Sequence, residues 1–156
     1  CVVVAALAAG TAAGGARRLL DLGAEPATLA SALACVVAVH RVRGVCLECR
    51  SASYATPEEL SLLGRPPEES GRRLLAVGRG CDTCAGTGFG GSIRIAELLT
   101  PTADVRQLLA GGAPAHEIER AAVAAGMRTL TNCAADLCLE GLTSASEVAR
   151  LSPAAG

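Results

Sequence analysis

The chain has 156 residues, the size of one ordinary domain with or without a small appendage. Hydrophobic residues make up 51% of it but aromatics only 1%, Tyr54 and Phe89, so any core is built from Ala, Leu and Val. The net charge of −1 excludes a nucleic-acid binder held mainly by electrostatics. All 14 basic residues are Arg, which excludes a Walker A loop and Schiff-base chemistry on Lys, and His40 and His116 are too few for a multi-histidine metal site.

The chain opens with an uncharged run, Cys1 to Ala16, and a second apolar run spans Ala27 to Val39. Neither has the basic leader of a secretory signal, and both fall short of the roughly 18 apolar residues of a membrane span. Cys1 to Ala9 reads as a strand buried on both faces, so the simplest expectation is a fragment that begins inside a sheet. Gly10 to Gly15 reads as a loop and Ala16 to Leu22 as a short helix stopped at Gly23. Pro26 suits the first position of a longer helix running to about Arg43, with Leu29, Leu33, Val36, Val37 and His40 on one stripe. Thr56-Pro57-Glu58-Glu59 is a capping box with Pro at the first helical position, and Gly64 closes that helix.

Arg73 to Val77 and Ser92 to Ala96 read as strands, the second half-exposed because Ile93 and Ile95 alternate with Arg94 and Ala96. After Pro101 the pattern is helical: Ala103 to Ala110, Ala115 to Ala125, Arg128 to Glu140 and Ser146 to Leu151. Gly111, Gly126 and Gly141 stand where helix ends favour Gly, and Ser144 with Glu147 has capping spacing. These helices are expected to form one bundle with Leu108, Leu109, Ile118, Val123, Leu130, Leu137 and Val148 inward. The tail beyond Pro153 is expected to be disordered.

Four of the eight cysteines fall at metal-ligand spacing: Cys46-Leu-Glu-Cys49 and Cys81-Asp-Thr-Cys84. Two residues between thiolates let both sulfurs point into one tetrahedron from a single turn. The second pair is set among Gly78, Gly80, Gly86, Gly88, Gly90 and Gly91, which free the backbone to turn its N–H groups toward the sulfurs. The pairs are 31 residues apart, which requires residues 50–79 to fold out as a small lobe and return. The competing reading is two disulfides or unrelated core thiols. A Zn²⁺ is expected instead, because two such pairs seldom coincide without a metal, and its role is expected to be structural, because four thiolates leave no open position for water or substrate. Cys35, Cys133 and Cys138 read as small buried hydrophobes. His40 reads as a helix-boundary residue and His116 as solvated.

The stretch from Cys81 through Gly86-Thr-Gly88 to Ile93-Arg-Ile-Ala-Glu-Leu-Leu99 resembles the second half of the tetracysteine motif in the type II secretion and type IV pilus assembly ATPases, the GspE/PulE/PilB family. Arg18 to Pro26 resembles the segment after that family's histidine box, and Val42 to Cys49 its first cysteine pair. Gly126 to Leu130, Leu139 to Thr143 and Glu147-Val148 resemble its C-terminal helices. The resemblance runs from Val2 to about Leu151. It implies an α/β fold: the C-terminal remnant of a RecA-like P-loop ATPase domain with an inserted zinc lobe and a C-terminal helical bundle. The implied division is residues 1–45 as the end of the RecA-like core, 46–99 as the tetracysteine lobe and 100–152 as a helical subdomain.

The resemblance also implies a homo-hexamer in the intact protein, cytoplasmic and peripheral at the inner membrane, acting on membrane-embedded platform proteins. The charge balance and the short apolar runs lead to the expectation of no nucleic-acid partner and no transmembrane segment. ATP and Mg²⁺ belong to the intact family. Here no Walker motif is present, and Leu7-Ala8-Ala9-Gly10 stands where the family's histidine box reads Leu-His-Thr-Asn. Val39-His40-Arg41 stands where the family has Gln-Arg-Leu. No catalytic or nucleotide-contacting residue is therefore assigned, and the chain alone is expected to be inactive, with a zinc-binding, structural and subunit-contact role. The alternative is a chaperone zinc module, since Cys81-x-x-Cys84-x-Gly86-x-Gly88 matches the J-domain cochaperone repeat, although Cys46 to Ser53 lacks its glycines. A nucleic-acid-binding zinc ribbon is weakened by the acidic balance and the lack of aromatic platforms.

Overall fold

The computed structural model describes residues 2–151. In chain order the elements are α1 (Ala12–Asp21), α2 (Pro26–Ala32), β1 (Val36–Val45), β2 (Arg50–Tyr54), α3 (Pro57–Leu62), β3 (Leu74–Gly78), β4 (Phe89–Leu99), α4 (Ala103–Ala110), α5 (Ala115–Ala124), α6 (Leu130–Leu139) and α7 (Ala145–Leu151). The fold is mixed α/β, with β1 paired to β4 and β2 paired to β3. The chain divides into two compact units, one of residues 1–39 and 96–129, the other of residues 40–95 and 130–156. The boundary thus falls inside both long strands, β1 and β4.

In the first unit, α2 packs on α4, α1 on α5 and α4 on α5. The buried face of α1 is Ala12, Ala13, Gly15 and Ala16, while α4 and α5 contribute Val105, Leu109, Ile118 and Ala122. Small side chains let helices approach closely, as the composition requires. Thr11 caps α1 by accepting from the Gly14 N–H, and the buried Glu97 carboxylate accepts from the Ala12 N–H. At the other end of α2, Arg106 donates to the carbonyls of Ala30, Ser31 and Leu33, so its charge lies where the helix leaves acceptors unpaired.

In the second unit, β2 and β3 are antiparallel, in register from Arg50 opposite Gly78 to Tyr54 opposite Leu74. Residues 50–79 do fold out and return, with α3 at the far end. The capping box of α3 is present in both directions: Glu59 N–H to Thr56 Oγ1 at 3.2 Å, and Thr56 N–H to the Glu59 carboxylate at 3.0 Å. The core of the unit includes Leu60, Leu63, Leu75, Leu130, Ala134, Cys138 and Val148.

Several expectations need correction. Residues 2–9 form no strand, and Val2, Val3 and Val4 are 90%, 83% and 93% exposed. A strand buried on both faces needs covering layers, and neither ladder includes this segment. Helix α1 begins at Ala12, inside the expected loop, because Thr11 supplies the cap. The long helix from Pro26 ends at Ala32, and β1 takes over at Val36. Val36, Val37, Val39 and Val42 are β-branched, and buried Ala38, Val42 and Gly44 alternate with exposed Val39, Arg41 and Arg43.

His40 is therefore a strand residue, and Cys35 lies exposed between α2 and β1 rather than on a buried helix face. After Pro101, α4 packs with α5 in the first unit and α6 with α7 in the second. Leu109, Ile118, Leu130 and Val148 are buried as expected, Leu108 and Leu137 are half-buried, and Val123 is exposed. His116 is exposed at the start of α5, as expected of a solvated residue. Cys1 and the tail beyond Leu151 lie outside the described residues.

Candidate metal centre

Two turns carry the cysteines. Cys46 follows directly on β1 and Cys49 directly precedes β2, so the first pair spans the β1–β2 turn. Cys81 follows β3, and a short 3₁₀ turn, Asp82–Cys84, carries the second pair toward β4. The turns are fastened by the backbone: Cys46 N–H donates to Gly88 O at 2.9 Å and Arg79 N–H to Cys49 O at 3.1 Å. Within the second turn Gly86 N–H donates to Cys81 O at 2.9 Å, and Ala85 adopts a left-handed φ of 49°.

All four Sγ atoms lie within 4.8 Å of one another. Cys81 to Cys84 is 3.7 Å, Cys49 to Cys84 3.8 Å and Cys46 to Cys81 3.9 Å. A disulfide requires about 2.05 Å, so the thiols are unbridged. Zn–S bonds of about 2.3 Å set the edges of a sulfur tetrahedron near 3.8 Å. The donor set therefore fits a four-coordinate thiophilic ion in both chemistry and spacing.

The surroundings favour thiolates unequally. Cys84 Sγ accepts from Cys81 N–H and Gly88 N–H, each at 3.2 Å, and Cys49 Sγ accepts from Gly80 N–H at 3.3 Å. The Cys81 amide foremost, helped by that of Gly88, draws the Cys84 thiol down to about 6 against the opposing effect of burial. Burial instead pushes Cys49 up to about 11, with the neighbouring cysteines adding to it.

The glycines of this segment are positions of backbone crossing. A Cβ on Gly78 would sit 1.9 Å from Gly88 O, and one on Gly88 would sit 2.4 Å from Gly78 O. Gly80 meets Gly86 O in the same way at 2.7 Å. No side chain fits between the two arms, and the crossing is what brings the Gly88 and Gly80 amides onto sulfur.

A supporting cluster that sequence reasoning did not assemble stands beside the first turn. Arg43 on β1 donates through its backbone N–H and its guanidinium to the Glu147 carboxylate at 2.7–2.9 Å, and Arg150 adds a third donor group at 2.8 Å. The Glu147 carboxylate, which stands at capping spacing from Ser144, is thus held by two arginines. Burial alone would raise the carboxyl of Glu147, but these donors hold it down to about 2. The Arg43 guanidinium also lies 3.9 Å from the centre of the Phe89 ring, and Thr143 Oγ1 donates to Arg43 O at 2.6 Å. Glu147 and Thr143 lie 104 and 100 positions from Arg43, and Phe89 is also far from it in the chain, so no local pattern in the sequence joins them. The positions in register with the histidine box, Ala8, Ala9 and Gly10, are exposed, as is Arg41 on β1.

The chain is mixed α/β, and its second unit carries a cluster of four thiols that could hold a metal ion. Its sequence matches the Type II/IV secretion system protein family over residues 1–150, and the chain belongs to that family. It is 35% identical over 147 residues to the type IV pilus assembly ATPase PilB of Thermus thermophilus, covering 94% of this chain and 16% of that protein. It is 32% identical over 136 residues to the type IV pilus assembly ATPase TfpB of Acinetobacter baylyi, covering 87% and 23%. It is 31% identical over 150 residues to the type II secretion system protein E of Pseudomonas aeruginosa, covering 96% and 29%. The chain thus spans less than a third of the length of these relatives. A family match of this extent does not favour the cochaperone module.

Proposed function

We propose that the chain is the C-terminal portion of a secretion or pilus assembly ATPase and that its own contribution is structural. Cys46, Cys49, Cys81 and Cys84 would hold one Zn²⁺, which when bound cross-links the β1–β2 and β3–β4 turns and leaves no position for substrate. The observation that carries this reading is the set of sulfur separations of 3.7, 3.8 and 3.9 Å, the edge lengths such an ion requires. On this reading residues 46–99 are a zinc lobe, and residues 1–45 belong to the end of a RecA-like core.

In the intact protein the same part would serve a homo-hexamer at the cytoplasmic face of the inner membrane, packing against neighbouring subunits and contacting the membrane platform. ATP and Mg²⁺ would be handled outside this chain. Support comes from the names of the relatives, secretion and pilus assembly proteins, and from the absence among the described residues of any helix long and apolar enough to cross a membrane. The test is elemental analysis of the chain purified without chelator, with Co²⁺ substitution as a second readout. About one zinc per chain, and the thiolate-to-cobalt charge-transfer bands of a tetrahedral four-sulfur site, are expected. Purified wild-type protein that folds without stoichiometric metal overturns the reading.

A further inference from the structure

Along a strand the N–H and C=O of one residue face one edge, and those of the next residue face the other. The end of β1 is held at both edges. Cys46 N–H turns toward β4 and donates to Gly88 O at 2.9 Å. Arg43 and Val45 face the opposite edge, which no strand covers among the described residues. The connection between α6 and α7 covers it instead. Val45 N–H donates to Leu142 O at 3.0 Å, Arg43 N–H donates to the Glu147 carboxylate at 2.8 Å, and Arg43 O accepts from Thr143 Oγ1 at 2.6 Å. Thr143 and Glu147 are fully buried, so water does not compete for these bonds. Gly44, between the two, has little slack: an added Cβ would stand 3.0 Å from Gly90 O and 3.6 Å from Leu142 O. All of these residues belong to the second unit.

We propose that Thr143 and Glu147 are positioning residues for the metal centre. They hold the strand end that carries Cys46, so that metal binding and the docking of the α6–α7 connection stabilise each other. The inference rests on the reading that the four thiolates hold a metal ion. Neither side chain belongs to the four-thiol cluster, and both act through β1. Cys46 directly follows Val45, so freedom at the strand end is freedom of one of the four sulfurs, and a tetrahedral site needs all four in place. Groups that orient ligands without touching the ion set its affinity in this way. The linkage is reciprocal: whatever the docked connection adds to metal affinity, the bound metal adds to the docking. The sulfur turns and α7 are thereby one cooperative assembly, although about 100 positions separate Arg43 from Thr143 and Glu147.

The test starts from the wild-type chain, its zinc stoichiometry measured first and its zinc affinity then measured by competition with a chelating indicator. Thr143→Val removes the hydroxyl at nearly constant shape and should lower zinc affinity about 2- to 10-fold, as expected for the loss of one hydrogen bond. Thr143→Ser keeps the donor and should restore most of that loss. Glu147→Gln should lower the affinity at least as much as Thr143→Val. Thr56→Ala removes the cap of α3 in the same unit, a loss of stability away from β1, and should leave zinc affinity close to that of the wild type. In the wild type, removal of zinc by a chelator should speed hydrogen exchange at the amides of residues 142–151, and this measurement decides where a variant does not fold. Stoichiometric zinc in the wild type with unchanged affinity in Thr143→Val, or with an equal loss in Thr143→Ser or Thr56→Ala, overturns the inference alone. So does exchange in residues 142–151 that is the same with and without zinc. Absence of zinc from the wild type overturns the metal reading and the inference with it.

Discussion

Gly88 combines a backbone approach that only glycine allows with an amide bond to sulfur. Its backbone passes so close to Gly78 that a methyl group would penetrate the facing carbonyl, and its φ of 75° is in the left-handed region. Its amide at the same time donates to Cys84 Sγ. Gly88→Ala is therefore expected to cost about 1–3 kcal/mol from overpacking and a further 1–2 kcal/mol from the backbone. The midpoint of urea unfolding should fall and metal affinity should fall with it. Gly86→Ala, whose added carbon meets nothing within 4 Å, should carry only the backbone part. Equal effects from the two variants would show that the crossing is not what Gly88 serves.

Cys84 tests the centre from the sulfur side. Cys84→Ala removes a ligand and leaves the Cys81 and Gly88 amides without their acceptor. Because ligand binding and folding are coupled in such lobes, it should lower metal content below stoichiometry and lower the melting temperature. A strong chelator applied to the wild type should reproduce the loss of melting temperature. Cys35→Ala, at an exposed thiol that is not one of the four, should do neither.

Among the elements, α7 is joined to β1 through one carboxylate, and its pH dependence can be worked out. Glu147 titrates near 2 in the folded chain instead of its ordinary 4.5, so its folded pKa is depressed. Its contribution to stability is present in full above pH 4.5 and is lost as the pH falls from there toward 2. At neutral pH Glu147→Gln should destabilise the chain by about 1–3 kcal/mol, with the lower part of that range favoured because Arg43 and Arg150 are well exposed and screened. The gap between wild type and variant should narrow through that acid window in parallel denaturation curves. A gap independent of pH between 5 and 2 would assign the loss to shape rather than charge.

The same scale shows what the sequence makes legible. The turns of the cysteine pairs, the capping box of α3 and the bounds of α4 are written in residues three or four positions apart, and the structure keeps them. The segment 33–45 carries two compatible patterns, a helical stripe through Leu29, Leu33, Val36, Val37 and His40 and an alternation from Val36 onward. Pairing with β4, some 50 positions away, selects the second. Residues 2–9 are apolar enough for a buried strand, but burial depends on neighbours that a local pattern does not specify. The Arg43, Phe89, Thr143 and Glu147 cluster was illegible for the same reason.

For the whole molecule the question is whether this chain can turn over nucleotide, and the expected answer is that it does not. Phosphoryl transfer depends on positioned cations and donors around the phosphates. The chain has no Lys, and Ala8, Ala9 and Gly10 offer no side-chain donor or acceptor. A helix N-terminus could still receive a phosphate through its free amides. At α1 two of those amides are engaged, Ala12 N–H by the buried Glu97 carboxylate and Gly14 N–H by Thr11, and a carboxylate there repels an anion. The glycines from Gly86 to Gly88 are taken up by the crossing with Gly78 and Gly80 and by the bond to Cys84. The purified chain with Mg²⁺ should therefore show neither ATP turnover above background nor saturable nucleotide binding by calorimetry. Magnesium-dependent turnover that persists after removal of contaminating ATPases would overturn this. Glu97→Gln separates the two parts of the argument, since it removes the repelling charge from the α1 terminus while supplying no cation. Nucleotide binding that appears in this variant without turnover would identify Glu97 as the group that closes that terminus to phosphate.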